Sequence, residues 1–418
     1  MSSYIRICNN NRNYLCGSIS ITGSKSISNR LLILKALYQD DIHIENISNC
    51  EDTKVLKKSL TSTSNILDIH HAGTAMRFLT SYFAIQEGKQ VILTGSDRMK
   101  ERPITILVKA LRKLGAEISY LEKEGFPPIN IFGKKILGGE IDMNAKISSQ
   151  YISSLMLIAS KFKMGLKIFL KENITSIPYI KMTFDLLTLA GIKADWKGRI
   201  IHIYPIKNKD KKHFYVESDW SSASYYYSMS AIANNSHIIL RSYNNVSLQG
   251  DKKVSYIYEK YFGVTTLFDK DVITLNKKLN FSFPKFFELD LNTTPDLAQT
   301  IVVTCAIIGI KCSLKGLGTL KIKETDRLKA LKEELSKFGV VIKITDSCLE
   351  ITDFYRKEIN SFIKIKTYQD HRMAMSFSPF GLCSNFIQID NPNVVEKSYP
   401  NFWKDLESLG FLINSYEE

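Results

Sequence analysis

Short segments set charged and hydroxyl side chains at the start of apolar helical runs: Ser24-Lys25-Ser26, Gly73-Thr74, Ser148-Ser149-Gln150, Asp296 after Pro295, and Asp370-His371-Arg372. A helix start offers unpaired backbone N–H groups and about half a positive charge, so several aimed at one place make an anion trap. Ser, Thr and Asp at such places also serve as ordinary N-caps, the simpler account of any single segment and of Ser221-Ser222. Lys25, Arg30, Arg77, Arg102, Arg327 and Arg372 accompany these starts, and buried helices seldom carry cations without partners. A substrate bearing phosphates and a carboxylate would supply them. Asp296, Glu324 and Asp326 read as acid/base groups or as salt-bridge partners, and His371 as a catalytic group or a satisfied cap. Gly23-Ser24-Lys25-Ser26 resembles the tail of a phosphate-binding loop, but the leading glycine-rich stretch is missing, which argues against ATPase chemistry. His70-His71 has no third ligand at metal spacing and marks a loop.

The elements that must position these residues repeat. Buried-type helices start near Ser24, Gly73, Ser148, Ser221, Pro295 and Asp370, about 73–75 residues apart except for a first interval of about 49. In step with them, amphipathic runs such as Leu328, Leu331, Leu335, Phe338 end at Gly115, Gly191, Gly263, Gly339 and Gly410, each followed by a β-type run. Strands are expected at Lys167 to Leu170, Ile200 to Tyr204, Ser236 to Leu240, Val340 to Ile344 and Phe386 to Ile389. The pattern predicts an α/β (α+β) fold of six βαβαββ-like units, too large for a solenoid repeat and better arranged as two lobes of three. The expected lobes are 1–23 with 218–418, and 24–217, crossing at Thr22-Gly23-Ser24 and Glu217-Ser218-Asp219. The active site is expected in the cleft between them, with closure on substrate binding. Glu51 to Asp68 leaves too little chain for the closing strands of the first unit.

Hydrophobic residues make up 44% and charged residues 23%, which excludes a disordered or low-complexity chain. The longest nearly apolar run, Ile301 to Ile310, is too short to span a bilayer, so no membrane partner is expected. The seven scattered cysteines show no zinc spacing and fit reduced thiols in a cytoplasm. The net charge of +14 invites a nucleic-acid reading, but the basic residues are spread along the chain and no RRM-like or KH-like motif is present. The densest basic cluster, Lys207 to His213, reads as a solvated loop between strands.

Seven segments, in order, resemble the signature motifs of the 5-enolpyruvylshikimate-3-phosphate synthase family. They are Gly23-Ser24-Lys25-Ser26-Ile27-Ser28-Asn29-Arg30, Ala72-Gly73-Thr74-Ala75-Met76-Arg77, Met99-Lys100-Glu101-Arg102-Pro103-Ile104, Ser148-Ser149-Gln150-Tyr151, Ser176-Ile177-Pro178-Tyr179-Ile180, Lys323-Glu324-Thr325-Asp326-Arg327-Leu328 and Asp370-His371-Arg372-Met373-Ala374-Met375. The resemblance implies two lobes of three βαβαββ units. It also implies transfer of a carboxyvinyl group from phosphoenolpyruvate to the 5-hydroxyl of 3-phosphoshikimate, by a monomer without metal or organic cofactor. By matching positions it assigns Lys25, Ser26, Arg30, Ser148, Ser149, Gln150, Ser176, Tyr179, Asp296, Thr319 and Lys323 to 3-phosphoshikimate. To phosphoenolpyruvate it assigns Lys25, Gly73, Arg102, Gln150, Arg327, His371, Arg372 and Lys397. Asp296 would accept the hydroxyl proton, Glu324 would protonate the methylene carbon and take that proton back, and Lys25 would share in catalysis. His71 and Thr319 stand where members of the family usually carry Asn, each keeping a hydrogen-bonding group. The related UDP-N-acetylglucosamine enolpyruvyl transferases are expected to use a loop cysteine near Arg102, and no cysteine lies between Cys50 and Cys305.

Overall fold

The computed structural model describes residues 3–9, 14–144, 148–172, 174–206, 210–355, 363–383 and 387–417. The chain divides into two compact units, Met1–Thr22 with Glu217–Glu418, and Gly23–Val216. Among the described residues the strands form six sheets, five of four strands and one of two. Phe386 and Lys207 to Lys209 lie outside the described residues.

In the unit Gly23–Val216, the helices Lys25–Tyr38, Gly73–Ala84 and Ser149–Ala159 pack on one another and are buried almost all round. Small hydroxyls allow this close approach without leaving polar atoms unpaired: Ser154 Oγ donates to Ser81 Oγ at 2.6 Å. Amphipathic helices such as Thr105–Lys113 bury Leu107, Val108 and Leu111 beneath the sheets. In the other unit, Trp220–Ile232, Ala298–Ile308 and His371–Phe377 take the buried positions. A hydroxyl ladder joins them, Ser224 to Thr300 at 3.0 Å and Thr300 to Ser376 at 3.5 Å, at equivalent positions of successive repeats. No helix among the described residues is long and apolar enough to cross a membrane.

Each four-stranded sheet pairs two parallel strands with two antiparallel ones, as in Phe286–Asp290, Lys311–Lys315, Leu349–Phe354 and Val340–Ile344. All five glycines that follow the amphipathic helices have positive φ; Gly263, at φ 67, donates its N–H to the Tyr258 carbonyl and turns the chain into Val264–Asp269. The first repeat has no such glycine. Its helix Glu51–Thr61 runs directly on to Ile66–Asp68, and among the described residues its strand Ile42–Glu45 pairs only with Lys212–Tyr215.

Two repeats take a strand from a distant part of the chain. Ser3–Cys8 lies between Ile387–Asp390 and Leu412–Glu417, and Leu15–Ile19 runs parallel to Ser236–Arg241. Two helix starts differ from the sequence expectation. The helix near Ser221 is capped by Asp219, whose carboxylate accepts from the Ser222 N–H at 2.9 Å, while Gln249 Oε1 accepts from the Trp220 N–H at 3.0 Å. Pro295 opens a 3-10 turn, Pro295–Leu297, and the α-helix follows from Ala298.

Candidate active site

In the unit containing Glu217–Glu418, the starts of three successive helices bring carboxylates and cations together. Asp326 caps Arg327–Ser336, its Oδ1 accepting from the N–H groups of Leu328 at 3.1 Å and Lys329 at 3.2 Å. That occupation makes Asp326 structural and leaves Glu324 for the cluster. Arg327 is 2% exposed along its side chain, with Nε on Asp370 Oδ2 at 2.7 Å, Nη1 on Asp296 Oδ1 at 3.1 Å and Nη2 on Glu324 Oε2 at 2.9 Å. Arg372 Nη2 reaches Asp296 Oδ2 at 3.1 Å and Ser221 Oγ at 3.3 Å. Lys323 Nζ lies 3.5 Å from Asp296 Oδ1, and Lys397 Nζ lies 3.9 Å from Glu324 Oε1.

Asp296 therefore faces three cations. Burial pushes its carboxyl up, but Arg372, Lys323 and Arg327 outweigh burial and hold it well below the usual carboxylate range. It is an ionised acceptor. These partners also correct the premise that the buried cations await a ligand: Arg327 and Arg372 are already matched by protein carboxylates. Asp370 caps His371–Phe377 and accepts the Arg372 N–H at 2.8 Å, so buried His371 begins the helix beside a carboxylate 3.8 Å away. Thr319 sits in the turn Gly318–Ile322 with its Oγ1 buried and without a hydrogen-bond partner among the described residues.

Sequence inspection missed Asp251. Nothing in Gln249-Gly250-Asp251 distinguishes it from a helix-start acid, yet the side chain is buried and its Oδ2 accepts from Ser221 Oγ, which also contacts Arg372. Burial first, and then the nearby Asp296 charge, push its carboxyl up to about 7. A native value raised above the unfolded 3.8 contributes stability that is full below about pH 4 and lost as pH rises through about 7. Asp251→Asn, which mimics the neutral acid, is thus expected to gain stability relative to the parent as pH rises from 4 to 7.5. Parallel urea-unfolding profiles for the two proteins across that range would refute a native carboxyl titrating near neutrality.

In the unit Gly23–Val216, a Cβ built on Gly73 would lie 2.6 Å from Arg102 Nη1 and 2.8 Å from Arg77 Nη1, so absence of a side chain lets both guanidinium groups reach the first turn of Gly73–Ala84. Gln150 Nε2 donates to Thr74 Oγ1 at 3.3 Å, tying the next buried helix to the same turn. Ser148 caps that helix, its Oγ accepting from the Gln150 N–H at 3.3 Å, and Ser149 follows it, buried. Ser176 precedes Ile177–Leu189 in a left-handed conformation, φ 54, which costs a non-glycine residue about 1–2 kcal/mol.

Arg30 lies within its unit's core. Nε donates to Thr183 Oγ1 at 2.7 Å, Nη1 to the Ser26 carbonyl at 2.8 Å, and Nη2 to Ser153 Oγ at 3.3 Å and the Tyr179 carbonyl at 3.2 Å. These contacts bring together the predicted Ser26, Arg30 and Tyr179. Lys25 Nζ pairs with Asp52 Oδ2 at 3.2 Å, a partner that its position in a helix first turn disguised. Gly23 answers to packing, since a Cβ there would lie 1.8 Å from the Asn46 carbonyl oxygen. His70 and His71 form a turn, with Ser96 Oγ 2.8 Å from His71 Nδ1.

Comparison with known proteins bears on the whole chain. Residues 10–62 and 54–406 match the family EPSP synthase (3-phosphoshikimate 1-carboxyvinyltransferase). A 3-phosphoshikimate 1-carboxyvinyltransferase of Bacteroides fragilis strain YCH46 is 43% identical over 96% of this chain and 97% of its own. A protein of the same name from Buchnera aphidicola subsp. Schizaphis graminum is 33% identical over 94% and 96%. The fold matches EPSP synthase from Acinetobacter baumannii with a TM-score of 0.75 over 100% of both chains at 19% identity. It also matches the enolpyruvyl transferase NikO from Streptomyces tendae with a TM-score of 0.74 over 99% of both at 13% identity. With its motifs in order, its repeats matched in three dimensions and its relatives aligned almost end to end, the chain belongs to the EPSP synthase family.

Proposed function

We propose that the chain transfers the carboxyvinyl group of phosphoenolpyruvate to the 5-hydroxyl of 3-phosphoshikimate, within aromatic biosynthesis. The observation that carries this reading is the Asp296 carboxylate held ionised by Arg372, Lys323 and Arg327 beside Glu324. Asp296 takes the 5-hydroxyl proton as that oxygen bonds to C2 of phosphoenolpyruvate, and Glu324, in its protonated carboxylic acid form, adds its proton to C3, giving a tetrahedral intermediate. Glu324 then takes a proton back from C3, the C2–O bond to phosphate breaks, and the hydroxyl's proton leaves on the phosphate. Lys25, Gly73, Arg102, Gln150, Arg327, His371, Arg372 and Lys397 hold phosphoenolpyruvate. Lys25, Ser26, Arg30, Ser148, Ser149, Gln150, Ser176 and Tyr179 hold 3-phosphoshikimate, with Thr319 and Lys323 near the reacting hydroxyl. Fixed cations suit a reaction in which anionic charge shifts at the reacting centre, because they need no rearrangement during the step. The chain acts as a single copy, and the free thiols of all seven cysteines support action in a reducing cytoplasm.

A phosphate-release assay tests the reaction, with release expected only when both substrates are present. Release from phosphoenolpyruvate alone, or none with both, would overturn it. A finer test lies at Gly73, where the nearest atoms to the added methyl of Gly73→Ala belong to the guanidinium groups of Arg102 and Arg77. Displacing one charged hydrogen bond of about 1.5–3 kcal/mol should raise KM for phosphoenolpyruvate roughly 10–100-fold with the melting temperature nearly unchanged. An unchanged KM would remove Arg102 from phosphoenolpyruvate binding.

A further inference from the structure

The two-stranded sheet left by the short first repeat carries its own constellation. Ile42–Glu45 and Lys212–Tyr215 run parallel with His43 opposite His213 and Glu45 opposite Tyr215. Alternation along the strand turns Ile42 and Ile44 into the core and leaves His43, Glu45 and His213 on the exposed face. The two imidazole rings stack with centroids 4.9 Å apart and planes 13° from parallel. Glu45 Oε1 lies 2.9 Å from His213 Nε2 and 3.6 Å from His43 Nε2. One ligand atom from each of the three residues falls within 4.8 Å of the others.

We propose that His43, Glu45 and His213 bind a divalent transition-metal ion of the zinc class, clamping the strand Lys212–Tyr215 onto Ile42–Glu45. Zinc takes imidazole nitrogen and carboxylate oxygen at about 2.0–2.2 Å, so tetrahedral ligand atoms sit roughly 3.3 Å apart. Closing the present separations to that value needs ring rotations that move the nitrogens by roughly 1 Å or less, free on an exposed face. Two imidazoles select a borderline metal such as Zn²⁺ over Mg²⁺ or Ca²⁺, which require oxygen donors, and water completes the coordination. None of the three has a role in carboxyvinyl transfer, and all lie outside the seven family-like segments.

The benefit to the fold follows from topology. An isolated pair of strands is marginal in water, and these two come from opposite ends of their unit with no hairpin to hold them in register. An ion bound only when both strands are in place shifts the equilibrium toward the docked strand by mass action.

The test uses the full chain, freed of metal by chelation and dialysed against ZnCl₂ at pH 7.5 with a non-chelating reductant. One zinc per chain should bind, and His43→Ala or His213→Ala should weaken it at least tenfold. The double variant should lose it. Zinc should also raise the melting temperature of the parent but not of the double variant. All three side chains are more than half exposed, so the substitutions leave the core intact. Equal zinc affinity in parent and double variant, as exposed Cys16 or Cys383 would produce, overturns the proposal. So does a parent that binds no zinc at micromolar concentrations.

Discussion

Turnover of the Asp296→Asn variant is expected to fall about 10²–10⁴-fold, the range that a general base contributes. The substitution preserves shape and removes the proton acceptor together with its negative charge. The cluster survives it, because Arg327 keeps Asp370 and Glu324, and Arg372 keeps Ser221 and Tyr225 as partners. Calorimetric affinity for 3-phosphoshikimate should therefore stay close to that of the parent, separating lost chemistry from lost binding. Because Asp296 neutralises cations that an anionic ligand would otherwise engage, KM for phosphoenolpyruvate should not rise. A kcat within a few-fold of the parent would remove Asp296 from the role of base.

Replacing Arg327 with methionine should lower the unfolding free energy by roughly 3–5 kcal/mol, the cost of breaking a buried ion pair by deleting one partner. Three carboxylates depend on this side chain, and Asp370 is fully buried beneath it. Asp370 also caps His371–Phe377, so its uncompensated charge would disturb the helix that presents Arg372. The double variant Arg327→Met with Asp370→Asn should recover part of the loss, since the most buried charge is then gone as well. Denaturant unfolding measures both, and a single variant as stable as the parent would show that Arg327 serves only the ligand.

The contrast between Arg327 and Arg102 marks where sequence reasoning ends. Both stand in family-like motifs as arginines beside a helix start. One is locked into three carboxylates; the other packs its guanidinium against the bare backbone of Gly73. The nearby sequence does not separate them, since Glu324 lies three residues before Arg327 and Glu101 beside Arg102, while the partners Asp296 and Asp370 come from other repeats. The same holds for Lys25 with Asp52, and for Arg30 with Ser153 and Thr183.

The alternation of apolar helices, amphipathic helices and glycine turns was legible because each signal is local: a period of 3.6, a cap, a backbone at positive φ. The missing closing strands of the first repeat were legible too, as a plain shortage of chain between Glu51 and Asp68. Local rules falter where two residues satisfy them equally. Asp219 and Ser221 are both acceptable caps, and Asp219 takes the role in a helix start whose Trp220 N–H is received by Gln249, 29 residues away.

By itself the sequence determined the repeat, most of the helix starts and the family, since these rest on residue type and spacing along the chain. Only the tertiary structure decided which strands exchange between chain ends, which cations are already neutralised, that Asp251 titrates beside Asp296, and that His43 faces His213. Each of those depends on free energies summed over contacts between residues far apart in the chain, where desolvation and pairing charge are settled by neighbours that spacing does not reveal.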